Sequence, residues 1–396
     1  MKNIAVVLGM FETGLGVARS LGRNGIKVYG FDFKKDITFY SKYVKAKICP
    51  HPLNEEKKFI QYLISFGENE HKKPVLFITS DDFLISVSRN KNALDKYFLI
   101  NLPDNILIES IADKYRQYQL IKAAGIDLPQ TFALRKTEEI TTIADKLHYP
   151  AIIKGLNVNS WRKNISGSIK GFEVLSETEF TTKANELLNK KTECLVQEII
   201  HGPDTNHYKF CTYFSKEGKM ILGFTLQKIR QNPIRFGVGS VVQSIQYEAL
   251  YKIGEKLFKA LNYKGVGSAE FKLDERDCKL KLIEINARYW QQNALPDVCG
   301  MNFPFVDYLE MIDQKPESTF IFTPDIKWVN IYMDFDSFLK YRKLKKLTLK
   351  QWIKSLKGKK IYSDFAWDDI LPGFYEVGFG LKLYRLPKYL MKRLFN

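Results

Sequence analysis

The residues best suited to chemistry lie in VGSAEFKLDERDCKLKLIEINAR, residues 266–288, where two alternating runs flank a charged turn. Such a pattern predicts an antiparallel hairpin. With the turn centred on Asp277, Glu270 falls opposite Glu284, Ser268 opposite Asn286, Ala269 opposite Ile285 and Phe271 opposite Ile283. The two-residue period of a strand then gathers Glu270, Lys272, Glu284, Asn286 and Arg288 on one face and the apolar residues on the other. Two carboxylates opposed on a sheet repel by a few tenths to about 1 kcal/mol unless a cation lies between them. A hard divalent ion meets that need, and Mg²⁺ is commonly held by one or two carboxylates together with substrate phosphates. Asn286 supplies a further oxygen, and Arg288 can neutralise charge on a phosphoryl or acyl-phosphate group. Without a ligand the same pattern reads as a solvated sheet face with Lys272 and Lys281 interleaved.

These strands need a scaffold, and the rest of the chain supplies one. Residues 3–8 (NIAVVL) read as a strand running into a glycine-bearing turn over 9–16, followed by an amphipathic helix through Val17, Leu21 and Gly25. Further strands are expected at 27–31, ending at Asp32, and at 74–79, running into Ser80, Asp81 and Asp82, which are placed to cap a helix. Strands alternating with helices imply a parallel sheet. A helix over 112–124 closes at Gly125, and strands follow at 131–134, 149–154, 172–175 and 194–200. This second unit should be antiparallel β with helices on one side. Its loop from 155 to 171, with Ser160, Lys163, Ser166, Gly167, Ser168 and Lys170, could close over phosphates through backbone N–H groups.

A chain of 396 residues with 45% hydrophobic content is large enough for two or three subdomains. No apolar run is long enough to span a bilayer, and MKNIAVVLGM leads into a turn instead of a cleavage site, so a cytoplasmic protein is expected. The five cysteines (Cys49, Cys194, Cys211, Cys278, Cys299) are scattered without CxxC spacing, which argues against disulfides and structural zinc. The net charge is +17, and residues 337–396, with 15 Lys and Arg against 4 Asp and Glu, carry +11 of it. The basic excess is therefore local to the C-terminal part.

Ala269-Glu270-Phe271, followed by Leu282-Ile283-Glu284-Ile285-Asn286-Ala287-Arg288, resembles the metal-binding strands of ATP-grasp enzymes, whose pattern is a Glu or Asp and then Glu-x-Asn-x-Arg. The resemblance runs in order over roughly residues 1–312. It implies that Glu270, Glu284 and Asn286 bind two Mg²⁺ ions, with Mn²⁺ as a substitute, and that Arg288 assists phosphoryl transfer. Lys114 and Lys154 resemble the two lysines that hold ATP phosphates. Residues 196–204 (VQEIIHGPD) resemble the adenine-binding linker, with Gln197 at the adenine amino group, Glu198 and Ile200 offering backbone groups and Asp204 on the ribose. The commonest form has Glu at the positions of Gln197 and Asp204; both replacements keep an acceptor oxygen. Within 225–240, Lys228 is expected near the phosphates, and Arg230 at the acyl phosphate or incoming substrate, with Arg235 following.

The fold so implied is α/β and α+β. A Rossmann-like N-terminal domain spans 1–110, an ATP-grasp domain 111–312 and a basic extension 313–396. Within the middle domain the small lobe covers about 130–200, and the large lobe about 201–312 plus the 111–129 helix. The activity implied is an ATP-dependent carboxylate–amine ligase working through an acyl phosphate, in the branch that includes D-aspartate ligases of cell-wall synthesis. Carbamoyl-phosphate synthase-like and biotin carboxylase-like enzymes share the core. An NAD-dependent oxidoreductase is the competing reading, since Gly9, Gly14 and Gly16 followed by Asp32 suggest a dinucleotide turn, but the spacing is not G-x-G-x-x-G. A non-catalytic nucleotide-binding scaffold is a third, opposed by the intact Glu270, Glu284, Asn286 and Arg288. The tail, residues 337–396, where the basic clusters 340–346 and 350–360 precede an aromatic stretch and a basic amphipathic end at 387–395, suits an anionic leaflet at the inner face of the membrane, with a lipid-linked or glycan-precursor acceptor. No nucleic-acid motif is present. A homodimer is compatible with the resemblance, and oligomeric state is otherwise open.

Overall fold

Apolar residues at the strands 5–8 and 75–78 bury on both faces, as a parallel sheet covered by helices requires. A computed structural model describes residues 2–156, 161, 164–165 and 171–380, with backbone only for 376–380. Its first sheet is parallel in the order β3-β2-β1-β4, with β1 Ala5–Leu8, β2 Val28–Asp32, β3 Val44–Ile48 and β4 Val75–Ile78. Strand β3 (VKAKI) is mostly exposed, which explains why hydrophobic patterning did not reveal it. The helix Glu12–Arg23 follows β1 directly. Gly9 takes φ +95°, and a Cβ on Gly14 would lie 2.1 Å from the Gly9 carbonyl oxygen, so the turn into this helix admits no side chain there.

The second sheet is antiparallel in the order β5-β8-β6-β7, from β5 Thr131–Leu134, β6 Ala151–Gly155, β7 Phe172–Val174 and β8 Cys194–Glu198. Helices Glu139–Ala144 and Glu177–Asn189 bury Ile140, Ile143, Phe180 and Leu187 in a core shared with Ile153 and Val196. The expected phosphate loop, with Ser160, Lys163, Ser166, Gly167, Ser168 and Lys170, falls almost wholly outside the described residues, as does the basic end at 387–395.

The third sheet has seven strands, ordered β13-β12-β9-β10-β11-β14-β15. It comprises β9 His207–Phe214, β10 Met220–Asn232, β11 Val238–Ser244, β12 Gly265–Asp274, β13 Lys279–Asn286, β14 Lys327–Val329 and β15 Lys360–Tyr362. Two of these strands come from the basic extension. Helix Ile331–Lys343 packs against β10, and helix Leu349–Ser355 follows it, closed by a Thr348/Gln351 capping box.

The extension also reaches the first sheet. Arg19, 5% exposed, donates through Nε to Asp369 Oδ2 (2.9 Å) and through Nη2 to the carbonyl oxygens of Asp364 and Asp369. Ser41 Oγ donates to the same Asp369 carboxylate, and Arg23 makes a two-pronged pair with Asp368.

Candidate active site

The hairpin β12–β13 pairs Ser268 with Asn286, Ala269 with Ile285 and Glu270 with Glu284, as the sequence predicts. One pairing differs. Phe271 faces Leu282 instead of Ile283, because a β-bulge after Glu270 adds a residue to β13. The extra residue shifts the parity of the outer part of that strand. Leu280, Leu282 and Ile285 therefore all reach the core, while Lys281 joins Lys272 on the polar face. Strict alternation from Glu284 would have turned Lys281 inward and Leu282 outward.

The polar face carries a charge cluster. Glu270 accepts from Lys228 Nζ at 3.1 Å and pairs with Lys209 Nζ at 3.0 Å. Burial disfavours its charge, but the attraction of Lys209 and Lys228 outweighs burial and holds the carboxyl far below the usual range. Glu284 pairs with Lys114 at the start of helix Lys114–Ala123. Lys154, at the end of β6, donates to Gln197 Oε1 at 2.9 Å, and Gln197 Nε2 donates to Thr131 Oγ1 at 2.9 Å. Thus Lys114, Lys154, Gln197, Lys228, Glu270 and Glu284 are linked by direct pairs or by field: Lys154 feels both Lys114 and Glu284. The Ser268 hydroxyl, beside Asn286 in the register, is buried without a hydrogen-bond partner.

Burial, followed by the positive charge of Lys114, pulls the Lys154 ammonium down to about 8. The free protein therefore loses this cation as pH rises through that value. If Lys154 holds a phosphate, kcat/KM for ATP should fall roughly tenfold between about pH 7 and about pH 9, and Lys154→Arg should flatten the profile. An unchanged slope in the Arg variant would remove Lys154 from the phosphate site.

Arg288 is oriented from the helix that follows β4, its Nε and Nη2 donating to Asp81 Oδ1 (2.6 Å) and Oδ2 (3.0 Å). Burial opposes charge on Asp81, and Arg288 and Lys114 override it, so that this carboxyl sits below its usual range. The sequence places Ser80, Asp81 and Asp82 at a helix cap. In the structure Ser80 is the N-cap of helix Asp81–Arg89 but makes no side-chain cap bond, and Asp81 instead holds Arg288.

Other expected site residues are engaged by protein partners. Glu198 is 5% exposed; its backbone N–H donates to the Gln130 carbonyl, and its carboxylate faces His148, Arg276 and Lys281. The Ile200 carbonyl accepts from Lys272 Nζ at 2.7 Å. Asp204 accepts from Gln231 Nε2 at 2.7 Å and from the hydroxyl of Tyr341. Arg230 departs most from expectation. All three of its guanidinium nitrogens are engaged by the extension, Nε and Nη2 with Asp334 (2.6 and 3.0 Å) and Nη1 with Ser355 Oγ (2.6 Å). A bulge between Lys228 and Arg230 separates these neighbours, sending Lys228 to Glu270 and Arg230 to Asp334. Arg235 lies exposed and pairs with Glu173.

Sequence reasoning missed Lys209, Asp81 as the partner of Arg288, Tyr341 and Asp334. Lys209 carried a usable signal, the one lysine in the aromatic-rich and buried strand β9, where an unpaired charge would be costly. The dinucleotide reading loses its acidic residue. Asp32 is 3% exposed and accepts from the N–H groups of Met10 and Phe33, both at 2.7 Å, which ties it to its own turn.

Among the described residues no cluster of three or more His, Cys, Asp or Glu is assembled as a metal site. The donor set is two carboxylates with Asn286 beside them. That set fits Mg²⁺ shared with substrate phosphates, because Mg²⁺ keeps few protein ligands.

Residues 113–303 match the family model described as the carbamoyl-phosphate synthase L chain, ATP binding domain. The chain is 23% identical over 328 residues to a D-aspartate ligase of Enterococcus faecium (strain Aus0004), covering 79% of this chain and 77% of that one. Among solved structures it is similar to N5-carboxyaminoimidazole synthetase from Staphylococcus aureus, with TM-score 0.62, 17% identity and 80% of each chain covered. It is also similar to an L-amino acid ligase from Bacillus licheniformis, with TM-score 0.58, 18% identity, and 78% and 74% covered.

Proposed function

We propose that the chain is an ATP-grasp enzyme, and that it acts as an ADP-forming carboxylate–amine ligase working through an acyl phosphate. The observation that carries the reading is the convergence on one sheet face of Glu270 and Glu284 with the lysines 114, 209 and 228, beside Lys154. Such a balance of carboxylates and cations suits a polyphosphate that arrives with its own counter-ions. We assign Glu270, Glu284 and Asn286 to hold two divalent ions, which when bound would neutralise phosphate charge.

The chain's own residues have these parts. Lys114 and Lys154 hold the β- and γ-phosphates, freeing Glu284 and Gln197 from their present partners. Gln197 and the backbone of Glu198 and Ile200 meet adenine, and Asp204 the ribose. A substrate carboxylate oxygen attacks the γ-phosphorus in line, and ADP leaves. Arg288, fixed by Asp81, faces the negative charge of the acyl phosphate. The amine then attacks the acyl carbon, the C–O bond to phosphate breaks, and the amine's proton is released as the amide forms. Lys228 stays with the phosphates. Arg230 acts as a positioning residue that secures β10 behind Lys228, not as a group at the reacting atoms.

The likeness to a D-aspartate ligase supports an amino acid as one substrate, and we take a cell-wall or surface-glycan precursor as the other. The experiment is hydroxylamine trapping. With MgATP and the correct acid, and without amine, hydroxamate and ADP should accumulate in equal amounts. ATP cleavage to AMP, or cleavage only when the amine is present with no hydroxamate formed, would count against the acyl phosphate.

A further inference from the structure

Between Ser337 and Ser363 the chain carries ten Lys or Arg and no Asp or Glu. The helices Ile331–Lys343 and Leu349–Ser355 sort this segment into two sides. The inner side is fully engaged. Asp334 holds Arg230, Ser337 Oγ donates to the Gln231 carbonyl at 2.8 Å, Trp352 Nε1 donates to Asp334 Oδ2 at 2.7 Å, and Trp352 stacks on Phe338 with ring centroids 4.7 Å apart.

The outer side has a different character. Arg342, Lys343, Lys345, Lys346, Lys350, Lys354, Lys357 and Lys359 are all exposed. Set among them are Leu344, Leu349 and Ile353, 52%, 50% and 51% exposed. Lys350, Ile353 and Lys354 stand at i, i+3 and i+4 within helix Leu349–Ser355, so cations and an apolar group share one stripe. The extension further exposes Trp367 (89%), Leu371 (59%) and Phe374 (61%).

We propose that the outer face of this helical hairpin docks the enzyme on an anionic lipid surface. Charge complementarity selects a polyanion, and the apolar groups select the lipid. Leucine and isoleucine held among lysines at a bilayer interface bury their side chains below the headgroups while the ammonium groups stay at headgroup level. A nucleic-acid backbone would use the cations and leave the apolar groups in water. The docking face goes beyond the ligase reading and stands or falls separately from it. Within the basic tail it assigns docking to the hairpin that carries the clusters 340–346 and 350–360 and not to the 387–395 end, since the hairpin is a folded element whose other side grips β10.

The test is co-sedimentation of the full-length chain with phosphatidylcholine vesicles, alone or with about a third phosphatidylglycerol, at about 0.1 M and about 0.5 M salt. Wild type should bind the anionic vesicles at low salt and not the neutral ones. Each basic residue close to the leaflet contributes roughly a fivefold factor, so Lys346→Glu/Lys350→Glu/Lys354→Glu should lower partitioning at least about a hundredfold. A variant with Lys388→Glu/Lys392→Glu/Arg393→Glu should keep most of the binding. Leu349→Ser/Ile353→Ser should weaken binding to vesicles but not to heparin. A thermal shift with MgATP equal to that of wild type shows that each variant is folded and separates failure of docking from failure of the ligase site. Vesicle binding by the triple hairpin variant at wild-type strength would overturn the proposal. So would a single-stranded oligonucleotide that displaces the protein from anionic vesicles at equal charge concentration.

Discussion

Glu284→Ala is expected to lower amide-forming turnover on the order of a thousandfold while leaving the chain folded. The side chain stands on the polar face of β13 and is 36% exposed, so its removal opens no cavity in the core. Its loss takes away one of two opposed carboxylates and releases Lys114 to an uncompensated positive site. ATP should still bind through the lysines, but its γ-phosphate would no longer be held for in-line attack, and losses of about 10²–10³ for a single charge-stabilising group are usual. Glu284→Gln, which keeps the shape and a neutral oxygen, should recover little. The measurement is ADP release under saturating MgATP, with denaturation midpoints recorded alongside. A folded Glu284→Ala protein working within a few-fold of wild type would show that the hairpin face is not the reaction centre.

The second large effect is on stability. Asp334 is fully buried and accepts from Arg230 Nε and Nη2, Trp352 Nε1 and Ser240 Oγ. Asp334→Ala leaves the Arg230 guanidinium buried with only Ser355 to answer it, and breaking a buried pair in this way costs about 3–5 kcal/mol. Removing both charges in Arg230→Met/Asp334→Leu should restore most of that loss, since it is the orphaned cation that is costly. Urea unfolding of the two variants decides the matter. A loss below about 1 kcal/mol in Asp334→Ala would mean that water reaches Arg230 once its partner is gone.

How far the sequence foretold this arrangement depended on the range of the interactions. The opposition of Glu270 and Glu284 was legible because a short hairpin sets its own register through its turn and its alternation. The bulge at its middle was not, although Leu280, Leu282 and Ile285 break a period of two and show that alternation fails within β13. Lys114 and Lys154 became candidates only through their order along the chain, since a single lysine carries no pattern. The partners of Arg230 and Arg288 lie 104 and 207 residues away in sequence, and no local rule connects them. The extension is legible in the sequence only through its charge and its amphipathic end. That charge describes its outer face, while Asp334, Ser337 and Trp352, which fasten it to β10, are too few to stand out by composition.

The clasp between Arg19 and Asp369 joins positions 350 residues apart in the chain. During synthesis the segment carrying Asp369 leaves the ribosome roughly 20–70 s after Arg19, at ~5–20 residues per second. The parallel sheet and its first helix are therefore exposed to the cell for that interval with a guanidinium that has yet to meet its carboxylate. The contact is a late seal, made only after the 350-residue stretch that separates its two partners has been added. Ribosomes that stop early would release a protein whose hairpin and lysines are all present but whose first helix lacks its buried counter-charge, a lesion that quality control could recognise in chains still able to bind ATP.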